Sequence, residues 1–100
     1  YIENLESISA SDILSEKFLQ STFLDVRNIP ELSIGTIEGA VNIPLKDLNK
    51  RLIELDSKKE YIVYCAGGYR SMMAASILKK NNFNKIINIK GGFNELLKFI

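Results

Sequence analysis

The alternation of two periodicities limits the fold of this chain more than any other feature. Short apolar runs rich in β-branched and aromatic residues fall at positions 23–26, 40–43, 61–65 and 86–89, with a weaker one near 4–8. Runs of this length read as buried strands. Pro44 stops the second and Gly91-Gly92 the fourth. Helical spacing fills the intervals. Ser9 or Ser11 is placed to cap a first helix that buries Ile13 and Leu14. Leu45, Leu48, Leu52 and Leu55 form one stripe, with Lys46, Asp47, Asn49, Lys50 and Arg51 facing away. A third helix opens at Ser71, turns Met73, Ala74, Ile77 and Leu78 inward, and ends at Lys79-Lys80, where cations suit the dipole. Phe93, Leu96, Leu97 and Ile100 make the stripe of a last helix.

No hairpin signal joins neighbouring strands. The chain therefore predicts an α/β fold, a central parallel β-sheet of about five strands with helices on both faces. One hundred residues suffice for one such domain, spanning 1–100, and no repeat, linker or low-complexity stretch interrupts it. The sequence begins with Tyr1 rather than Met, which reads as a processed chain or a domain excised from a longer one. Thirteen Lys and Arg against twelve Asp and Glu leave a net charge of +1. That balance argues against nucleic acid or a membrane surface as partner. The apolar runs are also too short for a membrane-spanning helix.

Two counts remove most catalytic chemistries. With no histidine, a Ser-His-Asp triad, a Cys-His dyad and a His-containing metal site are all excluded. With one cysteine, Cys65, neither an internal disulfide nor a multi-Cys metal cluster can form. Cysteine this sparse fits a reducing, cytoplasmic compartment.

The third strand delivers Cys65 to the carboxyl end of the sheet, where open α/β sheets bind ligands. Ala66, Gly67, Gly68, Tyr69, Arg70 and Ser71 follow, and then a helix. Adjacent glycines let the main chain curl and aim successive N–H groups inward as an anion-binding nest. The helix start adds its own free N–H groups, and Arg70 adds a permanent cation. Such a loop holds a thiolate at its centre and makes Cys65 a nucleophile. A lone cysteine at a strand end is more often an inert small hydrophobe, and Gly-Gly-x-Arg is often a plain turn. The succession of strand, Cys, paired Gly, Arg and helix is far more specific than its parts.

Four separated motifs resemble the rhodanese family of sulfurtransferases, over essentially the whole chain. Leu24-Asp25-Val26-Arg27 is similar to its strand ending in Asp-x-Arg. Residues 35–44, Gly-Thr-Ile-Glu-Gly-Ala-Val-Asn-Ile-Pro, are similar to its Gly-His-Ile-Pro-Gly-Ala-x-Asn-Ile-Pro segment. Residues 65–71 are similar to its active-site loop, and Gly91-Gly92-Phe93 to its turn before the last helix. The wording of the loop also resembles rhodanese domains fused behind a metallo-β-lactamase-fold domain. Thr36 and Glu38 stand where the family often has His and Pro, which implies altered hydrogen bonding in that segment.

The resemblance implies a thiosulfate sulfurtransferase-like enzyme. Cys65 would take the outer sulfur of thiosulfate or a persulfide, become a persulfide, and pass the sulfur to cyanide or a thiol, with no metal and no organic cofactor required. Arg70 would clamp the donor's anionic group, Tyr69 would sit at the rim, and Ser71 would cap the helix or touch the persulfide. Asp25 and Arg27 would support the loop or form an internal ion pair, two readings of equal weight. The alternatives are a sulfur relay or docking module of a larger protein, or a Cys-dependent phosphatase or arsenate reductase. Only four residues separate Cys65 from Arg70, whereas those phosphatases place five, and this shorter ring suits a sulfur atom better than a tetrahedral oxyanion.

Overall fold

A computed structural model describes residues 6–13 and 21–99. Five strands form one sheet: β1 (Glu6–Ile8), β2 (Thr22–Asp25), β3 (Val41–Asn42), β4 (Tyr61–Tyr64) and β5 (Ile86–Ile89). The order across the sheet is β1-β5-β4-β2-β3, and every pairing is parallel. The register sets Val63 beside Leu24 on one side and Asn88 on the other. β4 and β5 are buried along their whole length, as strands covered on both faces must be.

Alternation along the strands divides the core in two. Leu24, Tyr61, Val63, Cys65 and Ile86 face one side, with Ala74, Ala75 and Leu78 of α3 (Tyr69–Lys80) and Leu48 of α2 (Leu48–Arg51) packed over them. Ile62, Tyr64, Ile87 and Ile89 face the other, under α1 (Ala10–Ile13) and α4 (Gly92–Leu96). Each such aliphatic side chain removed from water contributes about 1.5–3 kcal/mol. Cys65, one residue past β4, falls by parity on the α3 side.

The helices depart from the predicted stripes in several places. α3 begins at Tyr69, two residues before Ser71. Met73 is exposed, and Ala75 takes the inward position because α3 lies close to the sheet on small side chains. The leucine stripe is buried at Leu48 and partly buried at Leu45, Leu52 and Leu55, but only residues 48–51 are α-helical; tight 3-10 turns at Leu45–Asp47 and Leu52–Glu54 flank them. A 3-10 helix at Ile29–Ile34 carries no apolar periodicity and was not expected. α4 ends at Leu96, so Leu97 is exposed rather than buried. The first helix is capped at Ser9, whose Oγ accepts from the Asp12 N–H at 3.4 Å. Leu14 and Ile100 lie outside the described residues. Among the described residues no helix is long and apolar enough to cross a membrane.

Candidate active site

Cys65 is 1% exposed, and its Sγ lies within the curl of the loop that follows. Two main-chain donors converge on it: the Gly68 N–H at 3.1 Å and the Ser71 N–H at 3.3 Å. Gly68 reaches this position with φ at +107°, a conformation that a side chain would resist. It also occupies the N-cap of α3, so the first turn of the helix and the loop form one cradle.

Ser71 is therefore not the cap. Its side chain is fully buried at the third helical position, with Oγ 3.6 Å from Sγ. That hydroxyl donates to the Gly68 carbonyl at 3.0 Å and to Asn88 Oδ1. A hydroxyl has one proton and two lone pairs, so it serves one of these acceptors at a time while its oxygen accepts from the thiol. Asn88 in turn reaches Ser7 Oγ at 3.5 Å. Asn88 was missed in the sequence. The signal was present, an asparagine inside the otherwise apolar run 86–89.

The carbonyl side of the loop is held from α4. The Phe93 N–H donates to the Cys65 carbonyl at 2.7 Å, and the Asn94 N–H to the Ala66 carbonyl at 3.1 Å. A Cβ on Gly92, where φ is +61°, would meet those same carbonyl oxygens at 2.4 and 2.7 Å. Only glycine admits this approach. With the carbonyls turned outward to α4, the N–H groups are left to face the sulfur.

The sequence places Arg70 as a clamp for a donor anion, but its guanidinium is already engaged. Nη1 and Nη2 donate to the two oxygens of Glu31 at 2.6 and 2.8 Å. The fork from Arg70 holds the Glu31 carboxyl down at about 2. Glu31 sits in the unexpected 3-10 helix, and no feature of the sequence marked it as a partner.

Asp25 and Arg27 form an internal ion pair, both almost wholly buried. Arg27 Nε and Nη2 reach the Asp25 carboxylate at 2.7–3.1 Å, and Nη2 also reaches the Gly35 carbonyl at 2.8 Å. The guanidinium lies 4.3 Å above the Phe93 ring. Burial disfavours its charge, but the hydrogen bonds and charge of Asp25 outweigh that and keep it protonated more firmly than a free arginine. Asp25 accepts the Arg27 main-chain N–H at 2.9 Å rather than an N–H of the Cys65 loop. Asn42 closes the same corner by donating to the Asp25 and Arg27 carbonyls at 2.9 and 3.0 Å. In the segment 35–44, the Ile37 N–H meets the Tyr64 hydroxyl at 3.5 Å, and the Thr36 and Glu38 side chains make no hydrogen bond among the described residues.

Tyr69 stands at the rim, 83% exposed. Beside the loop lies an open cleft of about 340 Å³, bounded by Gly67, Gly68, Asn88 and Lys90. Among the described residues no group of three or more His, Cys, Asp or Glu side chains could hold a metal ion.

The fold has counterparts among known proteins. The Rhodanese-like domain family matches residues 9–98. The chain is 39% identical over 100 residues to "Putative sulfur carrier protein YrkF" of Bacillus subtilis (strain 168), covering 93% of this chain and 53% of that protein. A rhodanese-related protein from Thermoplasma volcanium superposes with a TM-score of 0.86 at 34% identity, over 93% of this chain and 91% of its own. The NAD-dependent persulfide reductase of A. fulgidus superposes with a TM-score of 0.73 at 35% identity, over 89% of this chain and 15% of its own. The chain spans about half the length of the first of these relatives.

Proposed function

The chain belongs to the rhodanese-like domain family, and on that premise we propose that it transfers sulfane sulfur through a persulfide on Cys65. The observation that carries this reading is the pair of N–H groups, from Gly68 and Ser71, aimed at one buried sulfur. Cys65 thiolate attacks the outer sulfur of a donor such as thiosulfate. A new S–S bond forms at Cys65 as the donor's S–S bond breaks, and the electron pair leaves with sulfite. An acceptor, a thiol or cyanide, then attacks the terminal sulfur and returns the Cys65 thiolate. Atoms and electrons balance without an external oxidant or reductant.

The Gly68 and Ser71 N–H groups stabilise the Cys65 thiolate both when it attacks the donor and when the acceptor displaces it; in the persulfide between these steps the charge lies on the outer sulfur. Ser71 can turn its proton from Asn88 or Gly68 to the sulfur once the thiol proton has left. Arg70, tied to the ionised Glu31, is half of a neutral pair that braces the first turn of α3 rather than a mobile clamp. A phosphatase reading has less support. Asp25 is locked to Arg27 and Glu31 to Arg70, which leaves neither positioned as a general acid.

A relay role within a larger protein is the second reading. It is supported by matches that cover only 53% of YrkF and 15% of the persulfide reductase. The test is intact mass after incubation with excess thiosulfate, for wild type beside Cys65→Ser. A gain of one sulfur in wild type alone, removed by cyanide or a thiol, is the expected result. No adduct from thiosulfate or from a small-molecule persulfide would remove the sulfur-transfer reading. Slow turnover of thiosulfate beside fast discharge to or from a thiol persulfide would favour the relay.

A further inference from the structure

The geometry points to Lys90 as the counter-charge for the carboxylate of a small thiol or persulfide substrate, bound in the cleft between the loop, β1 and the end of β5. This deepens the sulfur-transfer reading and rests on it. Arg70 is the cation that the loop itself supplies, and Glu31 occupies both of its terminal nitrogens. The cleft of about 340 Å³ is lined by Gly67 and Gly68 of the loop but not by Arg70, and Lys90 is the cation in its lining. That size is at the lower end of small-molecule sites, larger than a bare inorganic donor needs.

Cys65 is not in the lining, and it is joined to the cleft by two residues that are. Gly68, which lines it, donates its N–H to Cys65 Sγ; Asn88, which also lines it, accepts from the Ser71 hydroxyl. Lys90 follows β5 directly, and its N–H is bonded to the Ile8 carbonyl at 2.9 Å. Its main chain is thus fixed to the sheet while its side chain remains exposed. Among the described residues no carboxylate pairs with it. An exposed ammonium on a flexible stem beside a cleft suits an anion arriving from solvent.

Charge selectivity of Cys65 alkylation tests the assignment without requiring sulfur transfer. Iodoacetate carries a carboxylate and iodoacetamide does not, and the ratio of their rates cancels any opening step that the loop makes. Lys90→Met should lower the iodoacetate-to-iodoacetamide ratio about threefold and Lys90→Glu about tenfold, a ratio that also cancels any change in the Cys65 thiolate fraction common to both reagents. Lys85→Glu makes the same change in net charge just before the other end of β5 and should leave the ratio within about twofold of wild type. A ratio in Lys90→Glu that stays within about twofold of wild type, or one matched by Lys85→Glu, overturns the assignment. Thiosulfate loading of the same preparations, read by mass, judges the sulfur-transfer reading separately. That reading falls if wild type gains no sulfur, whereas Lys90 is judged by the ratio alone.

Discussion

Arg70 and Glu31, 39 residues apart in the chain, meet in a two-bonded fork that ties the first turn of α3 to the 3-10 helix after β2. Both side chains are about one-third exposed, so solvent screens the pair and its contribution is about 1 kcal/mol. Because Glu31 is held near 2 in the folded chain, its contribution is complete above the ordinary carboxylate range and disappears as pH falls toward 2. Urea unfolding of wild type and Glu31→Gln should differ by about 1 kcal/mol at pH 6 and converge between about pH 4.5 and 2. A gap that stays constant over that range would contradict the assignment.

Gly92→Ala should be among the most damaging single-methyl changes in the domain. The added carbon would press on the carbonyls of Cys65 and Ala66 and would hold an unfavourable positive φ. A loss of about 2–4 kcal/mol is expected, together with slower loading of Cys65 by thiosulfate. Thermal unfolding and timed mass spectra report the two effects.

Ser71→Ala separates the hydroxyl from the main-chain cradle. It leaves the buried Asn88 Oδ1 without its donor, at a cost of about 1–3 kcal/mol. The Gly68 and Ser71 N–H groups stay in place, so sulfur loading should persist with a rate loss of less than about tenfold. Complete loss of loading in a folded Ser71→Ala protein would transfer the main role to the hydroxyl.

Arg27→Met should destabilise the fold by about 3–5 kcal/mol, because it strands the Asp25 carboxylate in the core and frees the Gly35 carbonyl. The double variant Arg27→Met with Asp25→Leu should recover a large part of that loss. Chemical denaturation of the two proteins is the comparison, and failure of the double variant to recover would assign the cost to packing against Phe93 instead.

The strands and the loop were legible in the sequence because burial on both faces leaves little freedom of composition. Residues 61–64 and 86–89 read as strands and are strands. The paired glycines before Tyr69 are often a plain turn on their own, and they read as a site because a strand and Cys65 precede them and a helix follows. What stayed hidden depends on neighbours brought together only by folding. Glu31 lies in a segment without periodicity, and its partner is 39 residues away. Met73 reads as core by hydrophobicity, yet the sheet takes Ala74 and Ala75 because small residues permit close approach. The ion pair of Asp25 and Arg27 was one of two open readings, and the depth of its burial favours that one.

The hydrogen bonds from Phe93 and Asn94 to the carbonyls of Cys65 and Ala66 have a consequence for transplantation. The heptapeptide from Cys65 to Ser71 is not a portable reagent. Grafted onto another strand-to-helix junction, it would lose the donors that turn its carbonyls away, and those oxygens would be free to swing toward the sulfur and oppose its charge. The smallest transferable unit is discontinuous, the loop together with Gly92 and the first turn of α4, held at the spacing that β4 and β5 impose.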